Sequence, residues 1–224
     1  MRPMQVDRSG GAQPVRDHWW WRPGWHVGRR AYTFHITFDD EAAVEGLDEL
    51  HRLATDYQRK LATLPGLDMV PLQWLHLTMQ NVGFTDEVSE TEAAAVLDEA
   101  RIRCTSLQAF ELVMDEVEVR GEGVALRPHP ADPVCQVRDA VRAAIGSIRD
   151  EVPEAPEHAH GFEPHVSLAY SNSEAPSEPV GDAIDRVAAG AATLKVRAAK
   201  LIVLDRDERV YRWTTFGDVP LGPS

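Results

Sequence analysis

A chain of 224 residues with an ordinary apolar share can bury one sizeable core. Its net charge of −13 argues against an extended grip on a nucleic-acid backbone, which needs a basic face, and leaves a small nucleotide or an RNA end held in a local pocket. No apolar run could span a bilayer, no basic-then-apolar leader opens the chain, and Cys104 and Cys135 lack metal-type spacing; a cytoplasmic monomer with buried free thiols and no membrane partner is expected.

The first 30 residues read as an N-terminal arm, 31–218 as one domain and 219–224 as a tail. Gly, Pro and scattered charge predict a mobile stretch to about residue 17. Four of the six tryptophans follow within Trp19–Trp25. They are expected to clamp the arm onto the domain, since exposing so many indoles is costly; stacking of a nucleobase on one ring is the alternative. The first strand, from Ala31 to Phe38, puts Tyr32, Phe34, Ile36 and Phe38 on one face and Thr33, His35 and Thr37 on the other. Asp39, Asp40 and Glu41 are expected to open a helix reaching Leu61, with His51 on its solvent side.

Leu75, Leu77 and Met79 then alternate with His76, Thr78 and Gln80, so a second strand projects His76 and Thr78 side by side. A helix over 88–104, a kinked strand over 110–119 and a returning strand over 124–128 come next; Arg127 on the last is read as a surface residue. Asp132-Pro133 starts a helix to about Glu151 with the stripe Val134, Val137, Val141, Ile145 and Ile148. His158 and His160 lie in a loop without the partners a metal site needs, and no metal or cofactor is expected. In the strand from Pro164 to Tyr170, His165 and Ser167 share one face, and Val166, Leu168 and Tyr170 take the other. A helix over 180–189, a strand over 193–204 and a strand over 210–216 close the chain.

One His-x-Thr carries little information; two copies in alternating strands, one in each half of the chain, carry more. Imidazole titrates near neutrality and can give or take a proton, while a hydroxyl on the same face can donate to a phosphate oxygen. The runs His76-Leu77-Thr78 to Val82-Gly83-Phe84 and Pro164-His165-Val166-Ser167-Leu168-Ala169 resemble the 2H phosphoesterase superfamily, in its bacterial 2′-5′ RNA ligase or cyclic nucleotide phosphodiesterase branch, over about residues 30 to 218. The resemblance implies an α+β fold in two lobes, with antiparallel sheets facing across a cleft and helices outside. It implies His76, Thr78, His165 and Ser167 as the catalytic set, and analogy leans to His165 as base and His76 as acid.

The motif at His35 and Thr37 ranks below the one at His76, because the resemblance puts the first motif after the first helix; His35 and Thr37 are expected to line the cleft. Phe84, Tyr170 and Trp213 are candidates for base contacts, each also readable as core, and alternation turns Tyr170 away from His165. The expected activity is metal-independent hydrolysis of a cyclic phosphate or 2′-5′ linkage on a nucleotide or RNA end. A nucleotide-binding module without turnover and an RNA-end 2′-5′ ligase stay open as alternatives.

Overall fold

The structure is a computed structural model that describes residues 14–154 and 161–222, so His158 and His160 lie outside the described residues. In chain order the elements are β1 (Ala31–Thr37), β2 (Val44–Glu45), α1 (Leu47–Leu61), β3 (Leu67–Met69), β4 (His76–Phe84), α2 (Glu90–Cys104), β5 (Phe110–Arg120), β6 (Gly123–His129), α3 (Asp132–Ile148), β7 (Val166–Ser171), α4 (Glu178–Asp185), β8 (Ala192–Val196), β9 (Ala198–Asp205) and β10 (Arg212–Pro220). This is an α+β fold with two antiparallel sheets. One has the order β10-β9-β1-β4, the other β2-β8-β5-β6-β7-β3.

The two sheets are not the two halves of the chain. The predicted strand over 193–204 is broken at Arg197: β8 pairs with β5 in the six-stranded sheet, and β9 pairs with β1 in the four-stranded one. Short β2 and β3 carry the first half of the chain into the sheet that holds the second motif. Helix cover follows the same exchange. The face of α1 formed by Leu47, Leu50, Leu53, Ala54, Tyr57 and Leu61 is buried, and the helix lies against α4, β7 and β8. Helix α2 packs on α3 and β10, and α3 on β4. On α3, Val134, Val137, Val141 and Ile145 are buried, whereas Ile148 at the C-terminus is 42% exposed.

The acidic run after β1 does not open a helix. Asp40 accepts the amide of Ala42 at 3.0 Å and the Nζ of Lys200 at 2.9 Å, which uses the carboxylate in a turn. Helix α1 starts later, after Gly46 at φ 94°, where a Cβ would stand 2.5 Å from the Thr193 carbonyl oxygen. Glycine alone takes this left-handed conformation without strain and lets the two backbones approach. His51 Nε2 lies 3.1 Å from the Phe38 carbonyl oxygen, which ties the helix back to β1.

Backbone contacts hold the segments at both ends of the predicted domain. Residues 219–222 are held rather than trailing: β10 runs to Pro220, and the amides of Leu221 and Gly222 donate to the carbonyls of Arg197 at 2.8 Å and Leu107 at 2.6 Å. The arm is likewise bound from Val15, whose backbone pairs with Ala175. Trp19 is buried, and its Nε1 donates to Asp68 at 2.9 Å, as the clamp reading requires. Trp20 and Trp21 remain 44% and 50% exposed.

Candidate active site

The two motifs are held by the same local device. His76 Nδ1 lies 2.8 Å from the carbonyl oxygen of Trp74, and His165 Nδ1 lies 2.9 Å from that of Glu163. A carbonyl only accepts, so each Nδ1 carries the proton, and Nε2 of each neutral ring carries the lone pair. In both cases the anchor is the carbonyl two residues upstream, just before the strand begins. The rings are near enough for the charge of His165 to depress the basicity of His76. Strands β4 and β7 pass against one another, which brings both motifs to one place although they belong to different sheets.

His76 is buried, and burial pushes its pKa down to about 4 against the pull of the Trp74 carbonyl. Opposite it on β1 stands Thr37, and opposite Thr78 stands His35. Directly opposed residues share a sheet face, so the two His-x-Thr segments of this sheet do lie side by side. Both β1 residues are 1% exposed, however, and neither offers surface to a ligand. His35 stacks on His76 with ring centroids 4.6 Å apart and planes 6° from parallel. Among the described residues, neither ring nitrogen of His35 nor the Thr37 hydroxyl has a hydrogen-bond partner. Burial, then the nearby His76, holds the pKa of His35 well below its usual value. The expectation that His35 and Thr37 line the cleft is therefore corrected: they form the layer behind His76.

Trp213 belongs to the same layer. It is buried, edge-on to His76 at 5.4 Å and to Trp74 at 4.7 Å, and it forms a small apolar cluster with Ile202 and Leu204. Phe84 is elsewhere. It ends β4, about 25 Å of strand away from His76 at the usual rise per residue, and its ring is covered by Arg29 at 3.6 Å and Trp25 at 5.1 Å. It packs the arm and does not adjoin the paired motifs.

Tyr170 reverses the expectation from strict alternation. The register of β7 against β6 slips between Ala169–Val124 and Ser167–Ala125, leaving Leu168 as an extra residue. One extra residue changes the phase of every side chain beyond it. Tyr170 thus reaches the face of Ser167. Burial, then the neighbouring Tyr211, raises its pKa.

Three residues escaped the reading of the sequence. His18, from the arm, stacks on Tyr170 with centroids 3.9 Å apart, and its Nε2 lies 2.9 Å from the Tyr211 hydroxyl. Tyr211, just before β10, meets His76 edge to face at 5.7 Å. Glu122, in the turn between β5 and β6, stands 2.9 Å from His18 Nδ1 and also receives Arg22 at 2.7 Å and Trp20 Nε1 at 3.0 Å. Burial would raise the pKa of Glu122, but the bonds from His18 and Trp20 and the charge of Arg22 hold it down at about 2. No repeat or spacing marks these residues; a lone histidine in a Trp-rich arm has no partner in sequence.

Phosphoryl chemistry needs two proton carriers on opposite sides of the reacting phosphorus and donors to its oxygens. His76 and His165 with Thr78 and Ser167 are residues of those types, carried to one place by the contact of β4 with β7, with the rings of His35, Tyr211 and Trp213 against His76. A sequence comparison with curated proteins gives no match. Among solved structures, the chain is similar to E. coli LigT in apo form, at TM-score 0.58 and 17% identity, over 87% of this chain and 99% of that one. It is also similar to TT0787 of Thermus thermophilus, at TM-score 0.62 and 17% identity, over 88% and 100%, and to E. coli LigT complexed with 3′-AMP, at TM-score 0.59 and 16% identity, over 87% and 99%. These likenesses concern the fold. The family model described as the 2′-5′ RNA ligase superfamily matches residues 38–208. That span includes both histidine motifs, and the chain belongs to this superfamily, the 2H phosphoesterases.

Proposed function

We propose that this chain hydrolyses a 2′,3′-cyclic phosphate or a 2′-5′ phosphodiester on a nucleotide or RNA end, with His76 and His165 as its acid–base pair. The observation that carries the reading is the duplicated anchoring of the two rings, each with its Nδ1 proton on a carbonyl, which leaves Nε2 as the atom that takes or gives a proton. E. coli LigT, similar in fold, is known as a complex with 3′-AMP and with ATP, which supports a nucleotide as ligand here. In the reaction, one imidazole takes a proton from water as the new O–P bond forms. The other, which enters the step protonated on Nε2 as an imidazolium, gives that proton to the ribose oxygen as its bond to phosphorus breaks. Thr78 and Ser167 donate to the non-bridging oxygens.

The burial of His76 supports it as the base, the reverse of the assignment that analogy favours. A ring with pKa about 4 is neutral at pH 7 and holds its lone pair ready. The pH dependence of kcat/KM reports the free enzyme. On this assignment kcat/KM does not fall on acidification until the pH nears that value; a fall centred near pH 6.5, the ordinary imidazole range, takes the base role from His76.

Thr78→Val and Ser167→Ala each remove a phosphate donor and leave the strand intact. Each is expected to lower kcat by about a hundredfold, the scale of losing one preorganised donor. Steady-state kinetics on a 2′,3′-cyclic nucleotide would check this, and unchanged turnover in both variants would remove the hydroxyls from the mechanism.

A further inference from the structure

We propose that His18, carried by the N-terminal arm, is a positioning residue of the active site: backed by Glu122, it holds the Tyr211 and Tyr170 side chains against the two histidine motifs. The proposal rests on the phosphoesterase reading of that site. It starts from the direction of a hydrogen-bond chain. Ionised Glu122 only accepts, so the proton of His18 sits on Nδ1, 2.9 Å away. Nε2 of the neutral ring is then an acceptor and takes the Tyr211 hydroxyl hydrogen at 2.9 Å. Burial favours this neutral ring and lowers its pKa, although the bond to Glu122 pulls the other way.

Three separate segments supply this chain: the arm, the β5–β6 turn and the segment before β10. It ends at the paired motifs on both sides. Tyr211 lies edge-on to His76 at 5.7 Å. The other face of the device is the stack of His18 on Tyr170, at 3.9 Å and 15°, and Tyr170 shares the sheet face of Ser167. One imidazole thereby touches a ring that meets His76 and a ring on the face of Ser167.

Anchoring of the arm does not need this imidazole. The backbone of Val15 pairs with Ala175, Arg16 donates to Gly121 at 2.7 Å, and the amide of His18 itself donates to Ser171 at 2.8 Å. Arg206 donates to the carbonyl of Trp20 at 3.2 Å. An apolar ring at position 18 would fill the space but leave the Tyr211 hydroxyl without the acceptor that directs it. What a directed chain adds is a single orientation for the groups at its end.

The test compares kinetics of the full-length chain carrying His18→Ala, Tyr211→Phe, both changes, or His18→Gln, on a 2′,3′-cyclic nucleotide well below the melting temperature. Misplacing reacting groups by about 1 Å can cost on the order of a hundredfold. Each single change is expected to lower kcat by about 10- to 100-fold with KM within about threefold, on that scale. The double variant should be no worse than the worse single, because both remove one unit. Gln at position 18 can accept the Tyr211 hydroxyl and should recover most of kcat. Wild-type kcat in either single variant, or losses that multiply in the double, would overturn the proposal. Should His18→Ala fail to fold, Tyr211→Phe and His18→Gln decide it, since both keep the arm's packing. A wild-type chain that cleaves no cyclic or 2′-5′ substrate defeats the phosphoesterase reading instead. The positioning claim is then decided by a crystal structure of the His18→Ala chain. Displaced Tyr211 or Tyr170 rings support it, and wild-type rotamers for both overturn it.

Discussion

Alanine in place of His76 or His165 is expected to lower kcat on a 2′,3′-cyclic nucleotide by about a hundred- to ten-thousand-fold, the range for a general acid or base. That corresponds to about 3–5 kcal/mol of transition-state stabilisation. The two rings are expected to be equivalent in this respect because each is fixed in the same way, by one Nδ1 bond to a carbonyl two residues upstream. Loss of either leaves one of the two proton transfers to bulk water. The double variant should be little worse than the more damaged single one, as for other groups that act as a unit. His165 is the cleaner probe: it is only partly buried, whereas His76 is packed among His35, Tyr211 and Trp213. A thermal melt of each variant separates lost chemistry from lost fold. Near-normal turnover in both alanine variants would refute the acid–base assignment.

The second large effect is on stability in acid. Burial depresses the pKa of His76 to about 4, and those of His35 and His18 are also lowered. In the unfolded chain the same rings titrate near 6.5. Between those values the unfolded state binds more protons, so stability is full above about pH 7 and is lost as the pH falls through 6.5 toward the folded value. For His76 alone, the loss between pH 7 and pH 5 is about 2 kcal/mol; His35 and His18 act with the same sign. Acidification also relieves the self-repulsion of a chain with net charge −13, which opposes the trend. The variants isolate the histidine part. Urea unfolding at pH 7 and pH 5 should show a loss that shrinks by about 2 kcal/mol in His76→Phe and shrinks further when His35→Phe is added. An equal pH dependence in wild type and both variants would mean that these rings are not buried neutral.

His35 also raises a question of cost. A ring nitrogen buried without a partner costs about 1–3 kcal/mol, while a stacked aromatic pair returns about 0.5–1.5 kcal/mol. By that comparison a phenylalanine would make the strand more stable. What the histidine gives in exchange is a parallel polar ring against the whole face of His76, a contact confined to the site.

The parts of this protein that were legible in its sequence are those written in local period and repeated. Alternation at Leu75–Gln80 places His76 and Thr78 on one face, and the second copy at His165 and Ser167 makes the pair visible. The α+β order was legible too, because the helices carry their apolar stripes and the hairpins their turns. Features that depend on long-range pairing were not. The run from Thr193 to Leu204 reads as one strand, and only its partners, β5 for one part and β1 for the other, divide it between sheets. The extra residue at Leu168 that turns Tyr170 to the face of Ser167 leaves no mark in composition; it is a slip of register against β6. Asp40 looked like a helix start until Lys200, far along the chain, claimed its carboxylate. His18 shows the same limit most plainly, since every one of its partners at the site, Glu122, Tyr170 and Tyr211, is at least a hundred residues away.

The most direct test of the account is turnover of 2′,3′-cyclic AMP by the full-length wild-type chain in excess EDTA, beside the His76→Ala and His165→Ala chains. The account predicts release of an AMP monoester by the wild type, undiminished by the chelator, and a collapse of that rate in each variant. Nucleotide binding without turnover, or turnover that EDTA abolishes, would contradict it.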